Sequence, residues 1–237
     1  MDGSYQALLS GLPAPAPNAR TRDIGISFGD DEIALRSWNV AVAETIAVGP
    51  TPAPFARKLR KGGRLQIVIP DGGGAGRNLR YDLTLPTSSS SIDETLTACG
   101  KPLEDPRDVL LDDLGDDGMP GGFTWARMPR PEFPSGSRYA TGFAVVTCIT
   151  NPDGALSDCV VETEHPHDGG FGAATLRATR RARAQSVAAP DARLPAAMVE
   201  FRANFFLPGY ETREQRERAR NQPPAPFQRG DSNRGIE

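Results

Sequence analysis

Apolar and polar positions alternate in several short runs along this chain, and the clearest lie between Gly142 and Leu207. Gly142-Phe-Ala-Val-Val-Thr-Cys-Ile-Thr150 and Ala155 to Glu162 have the two-residue period of strands. They are joined by Asn151-Pro-Asp-Gly154, a tight turn whose Gly supplies the positive φ such turns need. From Phe171 to Ala184 the spacing becomes helical, with Phe171, Ala174, Ala178 and Ala182 on one stripe and Arg177, Arg180, Arg181 and Arg183 opposite. Those arginines read as a solvated face rather than an anion site. Met198 to Leu207 alternates again: Val199, Phe201, Ala203 and Phe205 form a buried face, and Glu200, Arg202 and Asn204 a wet one. Strand, turn, strand, helix, strand makes a compact ββαβ module of two layers.

The first half repeats the theme more weakly. Asp23 to Phe28, Glu32 to Trp38 and Ala41 to Val48 read as strands, and Pro50 to Pro54 as a break. Phe55 to Lys61 is predicted as a short helix ending at Gly62-Gly63. Leu65 to Ile69 and Leu79 to Leu85 are stronger strands closed into a hairpin by the loop Asp71 to Gly76. Ser91-x-x-Glu94 is a capping-box pattern, and the helix behind it puts Ile92, Leu96 and Cys99 on one face before Gly100. The predicted fold class is α+β. A β-rich domain occupies residues 1–105, an acidic and Gly-rich linker 106–126, the ββαβ module 127–208 and a charged, disordered tail 209–237. Within that tail, 211–220 has the composition of a solvated helix.

Composition narrows function mainly by exclusion. Gly and Pro, 25 and 22 of 237 residues, reserve about a fifth of the chain for turns and linkers. A net charge of −3 offers no basic footprint for nucleic acid. No apolar run approaches the length that spans a bilayer, and the N-terminus lacks a signal-peptide pattern. The three cysteines leave at least one unpaired within the chain. If the hairpin closes at Asp153-Gly154, Cys148 and Cys159 fall opposite each other on the buried face. They then form either a disulfide, stabilising by about 3 kcal/mol in the chain-entropy model, or two small core residues. Cys99, on the apolar side of its helix with no His nearby in sequence, reads as structural, or as half of a disulfide to an upstream segment.

Sites for chemistry are sparse. His165-Pro-His167 holds both histidines, too few for a zinc site, and reads as a turn. Taking Asp113 as the first calcium ligand puts Gly115 third and Thr124 twelfth, where a Glu is required, so Asp112 to Gly118 fails as a calcium loop. The glycines of 72–76 lead into a strand and lack the Gly-Lys-Ser/Thr of a phosphate cradle. No Gly-x-Ser-x-Gly elbow occurs. No cofactor, metal or catalytic constellation is expected, and the chain reads as a binding protein rather than an enzyme.

In order and spacing, residues 127–208 resemble the C-terminal domain of TonB, the periplasmic energy transducer of Gram-negative bacteria. The resemblance is carried by Pro131-Glu-Phe-Pro134, Gly142, Asp153-Gly154, Cys159-Val-Val161, Phe171-Gly-Ala-Ala174 and Val199-Glu-Phe-Arg-Ala-Asn-Phe205. The cysteines, Glu164-x-Pro166 and Gly170-Phe-Gly172 are similar to a subgroup of TonB-like envelope proteins. Phe133 stands where the family has Tyr, and Ala182 and Ala184 where it has aromatic residues. The transducer's membrane helix and long Pro-rich spacer have no counterpart here. The resemblance implies a periplasmic or cell-envelope setting and an upstream signal or anchor. It also implies pairing of an extended outer-membrane receptor peptide with a sheet edge and, if an upstream anchor exists, inner-membrane motor proteins as further partners. Carried over, the partner-binding residues are Phe133, Pro134, Val199, Glu200, Phe201, Arg202, Ala203, Asn204 and Phe205. A proline at Ala203 is expected to abolish the pairing. The alternative is a structural or stress-related envelope protein in which this domain only supports residues 1–105.

Overall fold

The computed structural model describes residues 5–16, 19–41 and 45–207. In chain order its elements are β1 (Leu8–Leu9), β2 (Thr21–Phe28), β3 (Ala34–Val40), β4 (Ala47–Val48), α1 (Pro52–Leu59), β5 (Gly63–Ile69) and β6 (Leu79–Leu85). There follow α2 (Ser90–Ala98), a 3-10 helix (Pro106–Leu111), β7 (Phe123–Arg127), β8 (Thr141–Thr150) and β9 (Leu156–His165). The series closes with α3 (Phe171–Thr179), β10 (Arg183–Ser186) and β11 (Met198–Phe206). The architecture is α+β with antiparallel sheets, as the alternating pattern implies. The described residues up to Phe206 belong to one compact unit. The predicted tail 209–237, with its helical reading at 211–220, lies outside the described residues.

The first sheet has the order β1-β4-β3-β2-β5-β6. Ile24, Trp38, Leu65, Ile67 and Ile69 face one side and form its core with Leu12 and Ala47. Phe55 of α1 seals that core, its ring 5.8 Å from Trp38 and edge-on, and 6.1 Å from Phe28. The helix begins inside the predicted break rather than at Phe55, because Pro52 and Pro54 sit in the first turn, where no amide partner is required. β5 and β6 form the expected hairpin, Ile67 opposite Tyr81.

α2 starts at Ser90, which places Ser91 inside the helix and removes the capping box. Ser89 bonds instead to the Asp93 side chain at 3.1 Å. Leu96 is fully buried against Ala53 and Ala56 of α1, as the face pattern predicts, while Cys99 is half-buried and free at the helix end.

The second sheet has the order β11-β8-β9 and carries α3 across one face. Phe171 is wholly buried there, and a Cβ at Gly142 or Gly169 would lie 2.1 or 2.2 Å from its ring. Both positions must therefore be glycine for the ring to fit. Cys148 and Cys159 are bonded to each other, Cα atoms 4.1 Å apart, inside a cluster with Val146, Leu194 and Val199. α3 is shorter than the predicted Phe171–Ala184. The chain turns after Thr179, and Arg183–Ser186 becomes β10, pairing with β7. Tertiary pairing with a distant strand ends this helix, which has no Gly or Pro stop in its sequence. The residues predicted as a linker, 106–126, hold the 3-10 helix and most of β7.

The second sheet's other face is the main departure from the predicted pattern. Val145 and Thr147 are fully buried, and Phe143 packs with Ala41 and Val48. α1 lies between the two sheets, with Phe55 and Leu59 toward the first and Arg57 toward the acids of the 3-10 helix. Arg57 grips Asp108 through two bonds of 2.6 and 2.7 Å and lies 3.7 Å from Asp105. Beside it Arg107 donates to the Thr147 hydroxyl at 2.8 Å, and that hydroxyl donates to Glu162 at 2.5 Å. A bulge puts Glu162 on this side: the register slips between Val145, paired with Thr163, and Val146, paired with Val161.

Candidate functional site at the terminal strand

β11 ends the second sheet, so one of its sides lacks a ladder partner among the described residues. Its pairing with β8 sets which groups lie on that side. Val199 stands opposite Cys148, Phe201 opposite Val146, Ala203 opposite Ala144 and Phe205 opposite Gly142. The Glu200 amide donates away from β8, to the Gly118 carbonyl at 2.7 Å. Main-chain groups alternate along a strand, so Arg202 and Asn204 also point outward, whereas Val199, Phe201, Ala203 and Phe205 bond to β8. Among the described residues the outward amides of Arg202 and Asn204 have no main-chain partner.

The predicted edge Val199–Phe205 is thus divided. Its first outward position is covered by Gly118, which has a φ of 75° and whose Cβ, if present, would sit 2.4 Å from the Glu200 carbonyl oxygen. Only glycine can approach so closely. Gly118 was not among the predicted site residues. Its signal in the sequence, a Gly closing an acidic turn, is one that linkers share. A proline at Ala203 would remove a bond to β8, not one from the edge, which corrects the expectation attached to that position.

Glu200, Arg202 and Asn204, expected to be wet, face residues 36–39 of the first sheet instead. The Arg202 guanidinium donates to the Ser37 carbonyl at 2.6 Å and lies 3.6 Å from the Glu200 carboxylate. The side-chain amides of Asn39 and Asn204 meet at 3.4 Å, and Arg20 stacks 3.6 Å over the Phe206 ring. Burial raises the Glu200 carboxyl above its ordinary range and lowers the Arg202 guanidinium, while their mutual attraction opposes both shifts. Arg36 donates to the Leu111 and Leu114 carbonyls at 2.8 and 2.9 Å. Between these groups and Gly118 lies a cleft of about 30 Å³, room for water but not for a side chain.

Phe133 and Pro134 stand at the far end of the strand. Pro134 is buried, and the Phe133 ring lies edge-on to Phe171 at 5.9 Å and Phe205 at 6.3 Å. The structure places Phe133 beside Phe205 of β11 as a wall of the aromatic cluster. The histidines part company: His165 stacks on Phe143 at 5.8 Å, burial lowering its pKa, and His167 lies 3.3 Å from Asp168. No group of three His, Cys, Asp or Glu is placed to hold a metal among the described residues.

No protein-family description matches this chain, and no curated protein matches it. Among solved structures, the solution NMR structure of the Pseudomonas aeruginosa TonB C-terminal domain is similar at 18% identity. That match covers 38% of this chain and 92% of that one, with a TM-score of 0.33.

Proposed function

We propose that this chain is a non-enzymatic, TonB-like binding protein of the cell envelope, periplasmic in setting. In this reading it takes up an extended segment of an outer-membrane receptor by strand addition along β11, in support of energy-dependent transport. The observation that carries the reading is the pair of outward amides at Arg202 and Asn204, on a terminal strand whose sequence follows the TonB pattern. An added strand would satisfy both and extend the sheet, with Phe206 at the open end. If an upstream anchor exists, inner-membrane motor proteins are further partners on this proposal.

Titration of the full chain with receptor-derived peptides, followed by amide shifts, tests it. The expected result is shifts confined to 202–206, abolished by Asn204→Pro, which deletes an outward amide and spares the β8 ladder. Binding that survives Asn204→Pro overturns the reading.

A structural, scaffolding role is the second reading, favoured by the burial of Val145 and Thr147. Deleting residues 127–237 separates the two. Loss of receptor-dependent uptake with residues 1–126 still folded supports transduction, and unfolding of residues 1–126 supports scaffolding.

A further inference from the structure

The first sheet ends at β6, and among the described residues this edge is open at every outward position, whereas on β11 the outward Glu200 amide is taken by the Gly118 carbonyl. The direction of its main-chain groups follows from the neighbouring strands. Gly29 donates to the Arg64 carbonyl at 2.8 Å, so Arg64 faces β2, and the next residue, Leu65, faces β6. Leu65 pairs with Leu83 and Ile67 with Tyr81, so Leu79, Tyr81 and Leu83 bond to β5. Arg80, Asp82 and Thr84 therefore point amides and carbonyls outward, and among the described residues none has a main-chain partner.

The side chains sort the same way. Tyr81 and Leu83 continue the core face beyond its cover and are 37% and 44% exposed. Arg80 and Asp82 lie on the opposite face around Gln66, Arg80 at 3.2 Å and Asp82 at 3.3 Å from its amide. Asp82 also accepts from Arg64.

We propose that β6 is a homodimerisation edge that pairs antiparallel with β6 of a second copy about a two-fold axis at Tyr81. That register alone satisfies three conditions together. Arg80 falls opposite Asp82 of the second copy, and Asp82 opposite its Arg80, at positions whose main-chain groups both point outward and can exchange bonds. The opposite charges face each other twice across the axis. On the other face Leu79 meets Leu83 of the second copy and the two Tyr81 rings meet at a non-hydrogen-bonded pair, covering apolar surface that β5 leaves open. Moving the axis to Asp82 would set like charges opposite each other, which is unfavourable. Charged side chains, Pro or a bulge keep many edge strands from pairing; β6 has no Pro, and its two charges, opposite in sign and two residues apart, attract rather than repel in this register. The product is one continuous sheet through two molecules, joined isologously.

Sedimentation equilibrium of the full chain over a concentration series tests this. The expected result is a monomer–dimer equilibrium, weakened about tenfold or more by Arg80→Asp, which sets like charges opposite each other. Circular dichroism of that variant should match the wild type. Asn204→Pro should leave the dimer intact, which separates this edge from β11.

Register is read by cross-linking in a Cys99→Ser background. Tyr81→Cys should oxidise to a covalent dimer, its Cα atoms about 4.5 Å apart across the axis. Leu83→Cys should not, its Cα atoms about 13 Å apart. A monomer at every concentration overturns the proposal. So does a dimer indifferent to Arg80→Asp, or a cross-link at Leu83 and not at Tyr81.

Discussion

On the α3 side of the C-terminal sheet, Ala144, Val146, Ala203 and Phe205 meet Phe171 and the Cys148–Cys159 bridge in a mainly apolar layer, with Glu164 accepting from the first turn of α3. On the other side Thr147, Glu162, Glu200 and Arg202 are drawn from water against Arg107 and residues 36–39. The first face gains by area and fit, without direction. The second has to match donors to acceptors, since an unpaired buried polar group costs more than its hydrogen bond returns. It does so incompletely: Arg107 Nε, Arg202 Nε and Asn39 Oδ1 are buried without a partner among the described residues. One face thus fixes the fold, and the other fixes how residues 1–112 sit on it. Only groups already facing each other can satisfy such a network.

The largest effects should come from the apolar face. Phe171→Ala removes a ring that Gly142 and Gly169 are shaped around, and should cost about 3–5 kcal/mol in urea titrations. A loss below about 1 kcal/mol would mean that this face is not a tightly packed core. Next, replacing Cys148 and Cys159 together by Ala opens a loop with a sequence separation of 11 and should cost about 3 kcal/mol. A reductant should lower the wild-type melting temperature and leave that variant unchanged.

The polar face is probed by Arg57→Met. It keeps the aliphatic stem and leaves Asp108, 22% exposed, without its partner. The expected loss is about 2–3 kcal/mol, below that of a wholly buried pair because Asp108 retains some water. If this variant instead matches the wild type, the network is ornamental and the two halves are held by Phe143 and its neighbours.

The same contrast governs what could be read from the sequence. The helix face was legible because apolar residues recur at the period of the element. Val199, Ala203 and Phe205 announce their burial, whereas the turn before β9 is longer than the Asp-Gly pair implies, Thr150 pairing with Leu156, and a register slip between Thr147 and Ile149 is what brings Cys148 to Cys159. Glu200, Arg202 and Thr147 carry no such sign. A charged or hydroxylated residue alternating with apolar ones looks wet whether or not another layer covers it. What covers it here comes from Ser37, Asn39, Arg57 and Arg107, residues too distant in sequence for any local period to register. The short α3 has the same origin: Ala182 and Arg183 suit a helix, and pairing of β10 with β7 overrides them. Gly118 was hidden for a third reason, since its role depends on one carbonyl of β11 rather than on its neighbours.

The smallest effect is the one that separates the faces most cleanly, because the carboxyls raised by burial lie on the polar face. Burial raises the Glu162 carboxyl, against the opposing pull of the Thr147 hydroxyl and Arg107, and burial likewise raises Glu200. A raised carboxyl binds its proton more tightly in the folded chain than in the unfolded one. Each therefore contributes stability that is fully present below the ordinary glutamate pKa and is lost as pH rises through the shifted value. Glu162→Gln and Glu200→Gln remove that loss. Relative to the wild type, each variant should gain stability as pH rises through this window, measured by urea titration at a series of pH values. Phe171→Ala should shift the whole curve downward without changing its slope. A Gln variant whose difference from the wild type stays constant with pH would show that these carboxyls remain hydrated, and that the second face is less closed than the first.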